Sequence, residues 1–254
     1  MFGRSSLSFN GREEFQTVYA ARSAIAILAV LLSAGSAERH QLYHVSGKDS
    51  YQIGSRELRS DTSYDGKEKL TIRKVDGVTR FSAHASYVKT DQGQGRSAVA
   101  TFESVLLADG QEHDTAGDDP DFLTVLNQPF AVQLDAQTLH DVRKLREPSP
   151  FTFTSAMTGA TLRGTLFHVT DGLIAGHPVV GIGFDASGPM RGGLPEHPEI
   201  SLHGTIRMSG RAYYTPNSAL LLALDAELQI AGTLADTSTS DRVKILYRRV
   251  IRAE

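Results

Sequence analysis

The chain of 254 residues has no cysteine and no tryptophan. Without cysteine it can hold no disulfide, no thiolate metal site and no cysteine nucleophile. The same absence after the N-terminal apolar run excludes the lipid attachment of a bacterial lipoprotein. Without tryptophan, and with 11 Phe, a carbohydrate-stacking surface has little to build on, although Tyr could substitute. An excess of cations is also missing: 26 Lys and Arg stand against 29 Asp and Glu, for a net charge of −3. With no long basic run, this balance argues against nucleic acid as a partner. The chain has no Gly-x-Ser-x-Gly elbow, no phosphate loop and no His-Glu-x-x-His. Two loose matches to a dinucleotide fingerprint occur, Gly93, Gly95, Ala98 and Gly181, Gly183, Ala186. That motif must open a helix after a strand. The first match runs into a strand pattern and the second into a Gly/Pro-rich stretch, so neither carries it.

What is present starts with an export pattern. Arg22 precedes an apolar core, residues 24–32, and Ser33-Ala34-Gly35-Ser36-Ala37 supplies small residues suited to a signal peptidase. The uncharged run 23–37 falls short of the roughly 20 residues that a membrane helix needs. Residues 1–37 are therefore expected to be a signal peptide, with an uncleaved anchor as the alternative, and the protein is expected in the periplasm or secreted. The long mixed-charge lead-in suggests that synthesis starts at Val18. Cleavage after Ala37 leaves residues 38–254 as one β-rich domain. Removing Arg4, Arg12, Arg22, Glu13 and Glu14 leaves it with 23 basic and 27 acidic residues. A chain of this length can bury enough apolar surface to fold without disulfides.

The strongest signal is the stretch 200–230. Ile200, Leu202, Gly204, Ile206, Met208, Gly210, Ala212 and Tyr214 alternate with polar residues, as on a half-buried strand. Thr215-Pro216-Asn217-Ser218 breaks the run with turn residues. Leu220, Leu222, Leu224, Ala226, Leu228 and Ile230 then alternate in turn. Both apolar sets sit at even positions, so the hairpin must pair even with even. A loop of three or five residues sets Arg207 opposite Asp225 or Glu227.

Further strands are expected at 40–45, 50–58, 69–75, 78–89, 97–107, 130–134, 151–154, 162–169, 179–186 and 242–251. Residues 61–66 read as a break, 108–121 as an acidic loop, 170–172 as a turn and 187–199 as a Gly/Pro loop. Leu139, Val142 and Leu145 have the spacing of a short helix capped by Asp135; a strand over 139–144 is the alternative. About ten to twelve antiparallel strands and at most one or two short helices predict an all-β protein: a large curved sheet, half-barrel or barrel.

Candidate chemistry is sparse. His113, Asp114, Asp118, Asp119 and Asp121 invite a metal reading, but their spacing matches no EF-hand and a solvated loop explains them. His168, Asp171, His177 and Asp185 cluster in sequence and would have to converge to form an acid–base or metal site of a hydrolase. No metal or cofactor is expected. Gly188-Pro189-Met190 begins an exposed loop that could serve as a lid over an apolar mouth. The apolar face of the sheet, with Leu222, Leu224, Leu228, Ile206, Met208 and Met190, is the expected ligand-binding surface, unless it is filled by the protein's own core.

The segment 151–249, with Gly188-Pro189-Met190 and Arg211-Ala212-Tyr213-Tyr214, resembles uncharacterised bacterial secreted proteins. The general plan also resembles the periplasmic lipoprotein and lipid carriers built on a half-barrel. That resemblance implies an apolar concave face holding acyl chains. The expected function is thus non-enzymatic binding of an apolar, lipid-like ligand, or of an envelope protein. The alternatives are an outer-membrane β-barrel and the hydrolase.

Overall fold

The computed structural model describes residues 38–54, 58–75, 78–106, 112–128, 136–154, 161–174, 176–194, 197–217, 220–235 and 240–254. The signal segment, the strand expected at 130–134 and the capping Asp135 lie outside them. Eleven strands follow in order: β1 Glu38–Ile53, β2 Leu58–Val75, β3 Val78–Asp91, β4 Gln94–Leu106, β5 Glu112–Asp118, β6 Ser149–Thr154, β7 Thr161–Ile174, β8 His177–Leu194, β9 His197–Tyr214, β10 Leu221–Ala235 and β11 Ser240–Ala253. Between β5 and β6 come a 3-10 turn, Val125–Asn127, and the single helix α1, Ala136–Arg143.

All eleven strands form one antiparallel sheet in the order β5-β4-β3-β2-β1-β11-β10-β9-β8-β7-β6. Every neighbour is a neighbour in sequence except β1 and β11, which pair from Tyr43 with Ala253 to Ile53 with Val243. β5 and β6 are the edges, and the sheet does not close into a barrel. Laid flat, eleven strands would be roughly 50 Å wide at the usual spacing. Yet one core cluster joins residues of β1 to β4 and β6 to β11 to Leu123, Val125, Leu139 and Val142. So few covering residues among those described cannot bury a flat sheet. The strands coil around them, as the right-handed twist of strands favours. Lys67, Lys69, Arg80, His84, Lys244 and Arg248 are exposed on the outer face. A lipid-facing barrel carries its apolar side chains on the outside; here most large apolar side chains point inward, with Leu42, Val88, Val99 and Leu173 exposed as exceptions.

The even-with-even hairpin forms between β9 and β10, with Leu228 opposite Met208, Ile230 opposite Ile206 and Leu224 opposite Ala212. Its register differs from both expected ones. A bulge between Leu221 and Ala223 and a longer connection, closed by the Thr215 N–H donating to the Leu220 carbonyl, set Arg207 opposite Gln229. Arg207 pairs instead with Asp185 of β8 at 2.5 Å.

Three expected breaks are strand. Residues 61–66 belong to β2, with Thr62 and Tyr64 turned inward between exposed Ser63 and Asp65. Residues 112–118 of the acidic loop form the edge strand β5, and residues 187–194 extend β8 opposite β9. The segment read as a lid is therefore sheet. The turn expected at 170–172 lies inside β7; the reversal comes at Gly176, whose φ is +80°. Val179 and Val180 are both buried, as expected for a strand covered on both faces. Further along the same strand, the Phe167 ring lies over Gly183 and the Tyr213 ring over Gly181, where a Cβ would collide with them.

Candidate functional site

Residues 119–128 run as a strap over the inner face of the β3-β2-β1-β11 half of the sheet. Polar contacts hold the strap down, and apolar side chains lie beneath it. Asp119 starts it by accepting the N–H groups of Leu123 and Thr124, at 2.9 and 2.8 Å, and the Thr124 hydroxyl. These bonds fold the chain into a tight bend and turn Leu123 and Val125 into the core, where they are 1% and 0% exposed. Thr124 accepts the Asn127 N–H at the start of the 3-10 turn.

Asp121 is the main point of attachment. Its carboxylate accepts Lys89 Nζ at 2.5 Å, the Tyr87 hydroxyl at 2.7 Å and the Tyr64 hydroxyl at 3.3 Å. Burial alone would raise its pKa; the bonds from Lys89 and Tyr87 outweigh burial and hold it below the usual carboxylate range. The Asp121 and Lys89 side chains are 12% and 20% exposed, so this contact lies at the rim of the interior.

Deeper in, Arg249 of β11 and Asp49 of β1 form a fully buried ion pair, each 2% exposed. Arg249 Nη1 donates to Asp49 at 2.5 Å and to its neighbour's carbonyl, that of Arg248; Nη2 donates to Asp49 and to the Asp121 carbonyl at 2.6 Å; Nε donates to the Phe122 carbonyl at 3.2 Å. All five guanidinium donors are thus engaged, two of them on the strap. The Tyr64 ring lies 5.0 Å from the guanidinium carbon and 5.4 Å from Lys89 Nζ. It provides an aromatic face between two cations.

Glu68 of β2 grips the strap from below. Its Oε2 accepts the Val125 N–H at 2.9 Å, while Oε1 has no partner among the described residues. The residue is 1% exposed. Burial pushes its pKa up to about 8; the Val125 bond opposes this and Asp119 adds to it. Gln128 donates to the Thr124 carbonyl at 2.9 Å. Glu68 therefore holds the N–H and Gln128 the C=O of one peptide unit. These groups point in opposite directions across a trans peptide, so the two side chains do not share a site.

α1 is tied to the other half of the sheet. Leu139 and Val142 are buried, and Arg143 donates to Asp171 of β7 at 2.7 Å. His168 bonds the other Asp171 oxygen at 2.9 Å. Of the four residues of the expected hydrolase cluster, only these two meet. His177 is exposed and opens β8 opposite Ile174, and Asp185 is engaged by Arg207. Among the described residues no group of three or more His, Asp or Glu could hold a metal ion. None of their helices is long and apolar enough to cross a membrane.

Leu224, Leu228, Ile206 and Met208 are 0–1% exposed and belong to one core cluster. Leu222 is in the β10 bulge, 7% exposed, and Met190 is half-buried on β8 opposite Gly204. A shallow hollow of about 660 Å³ lies across β2, β3 and β4, walled by the exposed Val88, Val99 and Lys67. It is open, unlike sites that bury most of a small ligand. The polar network escaped the sequence reading, although strand parity places Arg249 on the same face as Val243 and Tyr247. No protein-family model matches the chain, and no curated protein is similar enough to lend it an activity.

Proposed function

We propose that this is an exported, non-enzymatic binding protein that takes an apolar, lipid-like ligand on the inner face of its curved sheet. One observation carries the reading. The apolar inner face spans a sheet left open between β5 and β6, and part of its cover is a short strap held by side-chain polar contacts rather than by strand pairing. Such a cover can leave without breaking a ladder. The apolar face proposed for the ligand includes Leu224, Leu228, Ile206 and Met208, in the core cluster that the strap's Leu123 and Val125 also join, with Leu222 and Met190 at its margins. Export follows from the N-terminal pattern of Arg22, the apolar core and the small residues up to Ala37. Native mass spectrometry of protein purified without detergent should show an added mass that organic extraction removes and identifies as lipid. A single unliganded mass, together with no uptake of dodecanol or dodecanoate, would remove the reading. A co-purifying chain in the same spectrum would point instead to an envelope-protein partner.

A further inference from the structure

The strap resembles what it covers for. In order along it come an anionic carboxylate, Asp121, at the rim, and then two apolar side chains, Leu123 and Val125, driven into the core. We infer that residues 121–125 occupy the place of the ligand, and that the ligand is a single-chain amphiphile with an anionic head, a carboxylate above all. This rests on the apolar-ligand reading and narrows it.

The strap would leave several donors unmatched on departure. When Asp121 withdraws, the Lys89 ammonium and the Tyr87 hydroxyl lose their acceptor, while the Tyr64 hydroxyl keeps Asp49 at 2.9 Å. Arg249 loses the acceptors of Nη2 and Nε, the carbonyls of residues 121 and 122, while it keeps Asp49. Four donors are then left side by side without these acceptors, two around the vacated carboxylate and two on Arg249. Counted together, Arg249, Lys89 and Asp49 leave one net positive charge there. Unpaired buried donors are costly, so the position selects a group that can accept several bonds and carry a negative charge. A carboxylate does so in the geometry Asp121 already shows. A neutral alcohol supplies one oxygen and no charge. The rim position lets such a head approach from water, and the tail would follow the path of Leu123 and Val125 into the core cluster.

The strap and the ligand thus compete, and weakening the strap must tighten binding. The test is titration calorimetry of the full chain with dodecanoate, dodecanol and acetate, on the wild type, Asp121→Asn and Lys89→Met. Dodecanoate should bind about tenfold tighter than dodecanol, the worth of one or two charge-assisted bonds. Asp121→Asn should tighten dodecanoate by a similar factor, and Lys89→Met should erase the preference over dodecanol. Circular dichroism checks each fold; if Asp121→Asn does not fold, the head-group preference of wild type against Lys89→Met decides. Equal binding of dodecanoate and dodecanol would overturn the anionic head while leaving the apolar-ligand reading in place. Acetate binding as tightly as dodecanoate would overturn the tail. Failure of both long-chain probes on every variant would remove the inference and the reading beneath it.

Discussion

Arg249 is buried with every donor used, so its removal strands Asp49 as an unpaired buried charge and two strap carbonyls without donors. Arg249→Met should cost about 3–5 kcal/mol, the usual penalty for breaking a buried pair from one side, as read from urea denaturation. Leu224→Ala should cost about 2–5 kcal/mol as a large-to-small change in a filled core. Arg207→Ala should shift the urea midpoint far less, because Arg207 and Asp185 both face water. Glu68 gives a pH signature. Its folded pKa, about 8, lies above its unfolded value. Its contribution is complete below roughly pH 4.5, is lost as pH rises through about 8, and is flat beyond. The wild-type urea midpoint should therefore fall between about pH 5 and pH 9, and that of Glu68→Gln should fall less. Parallel midpoints would show that Glu68 ionises freely in the folded protein. Asp121 has the opposite sign: its folded pKa is lowered, so its contribution holds above the unfolded value and is lost on acidification. These residues were hard to read in the sequence for a physical reason. Asp49 and Arg249 stand 200 positions apart, and nothing local marks a polar residue at an inward position as paired rather than misplaced.

Among the elements, alternation proved the reliable guide and turn composition the weak one. The β9–β10 hairpin, the β2–β3 hairpin closed by Val75 opposite Val78, and α1 with Leu139 and Val142 inward all follow from period and spacing. The stretches 61–66 and 187–194 carry Asp, Ser, Gly and Pro, yet both are strand, because β1 and β3 flank the first and β9 runs opposite the second to take its backbone groups. Glycine and proline report local preference, and ladder formation overrides it. The same limit hid the β10 bulge, which moved Arg207 away from the acidic residues expected opposite it. α1 offers a test at this scale. Asp171 joins it to β7 through Arg143 and to His168 beside it. Asp171→Asn should speed amide hydrogen exchange in α1 while β9 and β10 keep their protection. Uniform loss of protection would mean that the helix and the sheet open as one unit.

For the molecule as a whole, the pairing of β1 with β11 decides most. The first and last strands lie side by side in the middle of the sheet, and the Glu254 N–H donates to the Leu42 carbonyl. A chain ending at Ala235 should show no cooperative thermal transition by circular dichroism, since it loses the strand that joins the two halves. A chain whose old ends are linked and whose new ends fall between Ala235 and Ser240 should fold, because every pairing survives. The same arrangement also sets a schedule. Strands made early can meet only their immediate neighbours, and the interior cannot be sealed until Arg249 of β11 reaches Asp49 of β1. A nascent copy of this chain therefore stays pliable until β11 has been made, and only then can it commit to a closed interior.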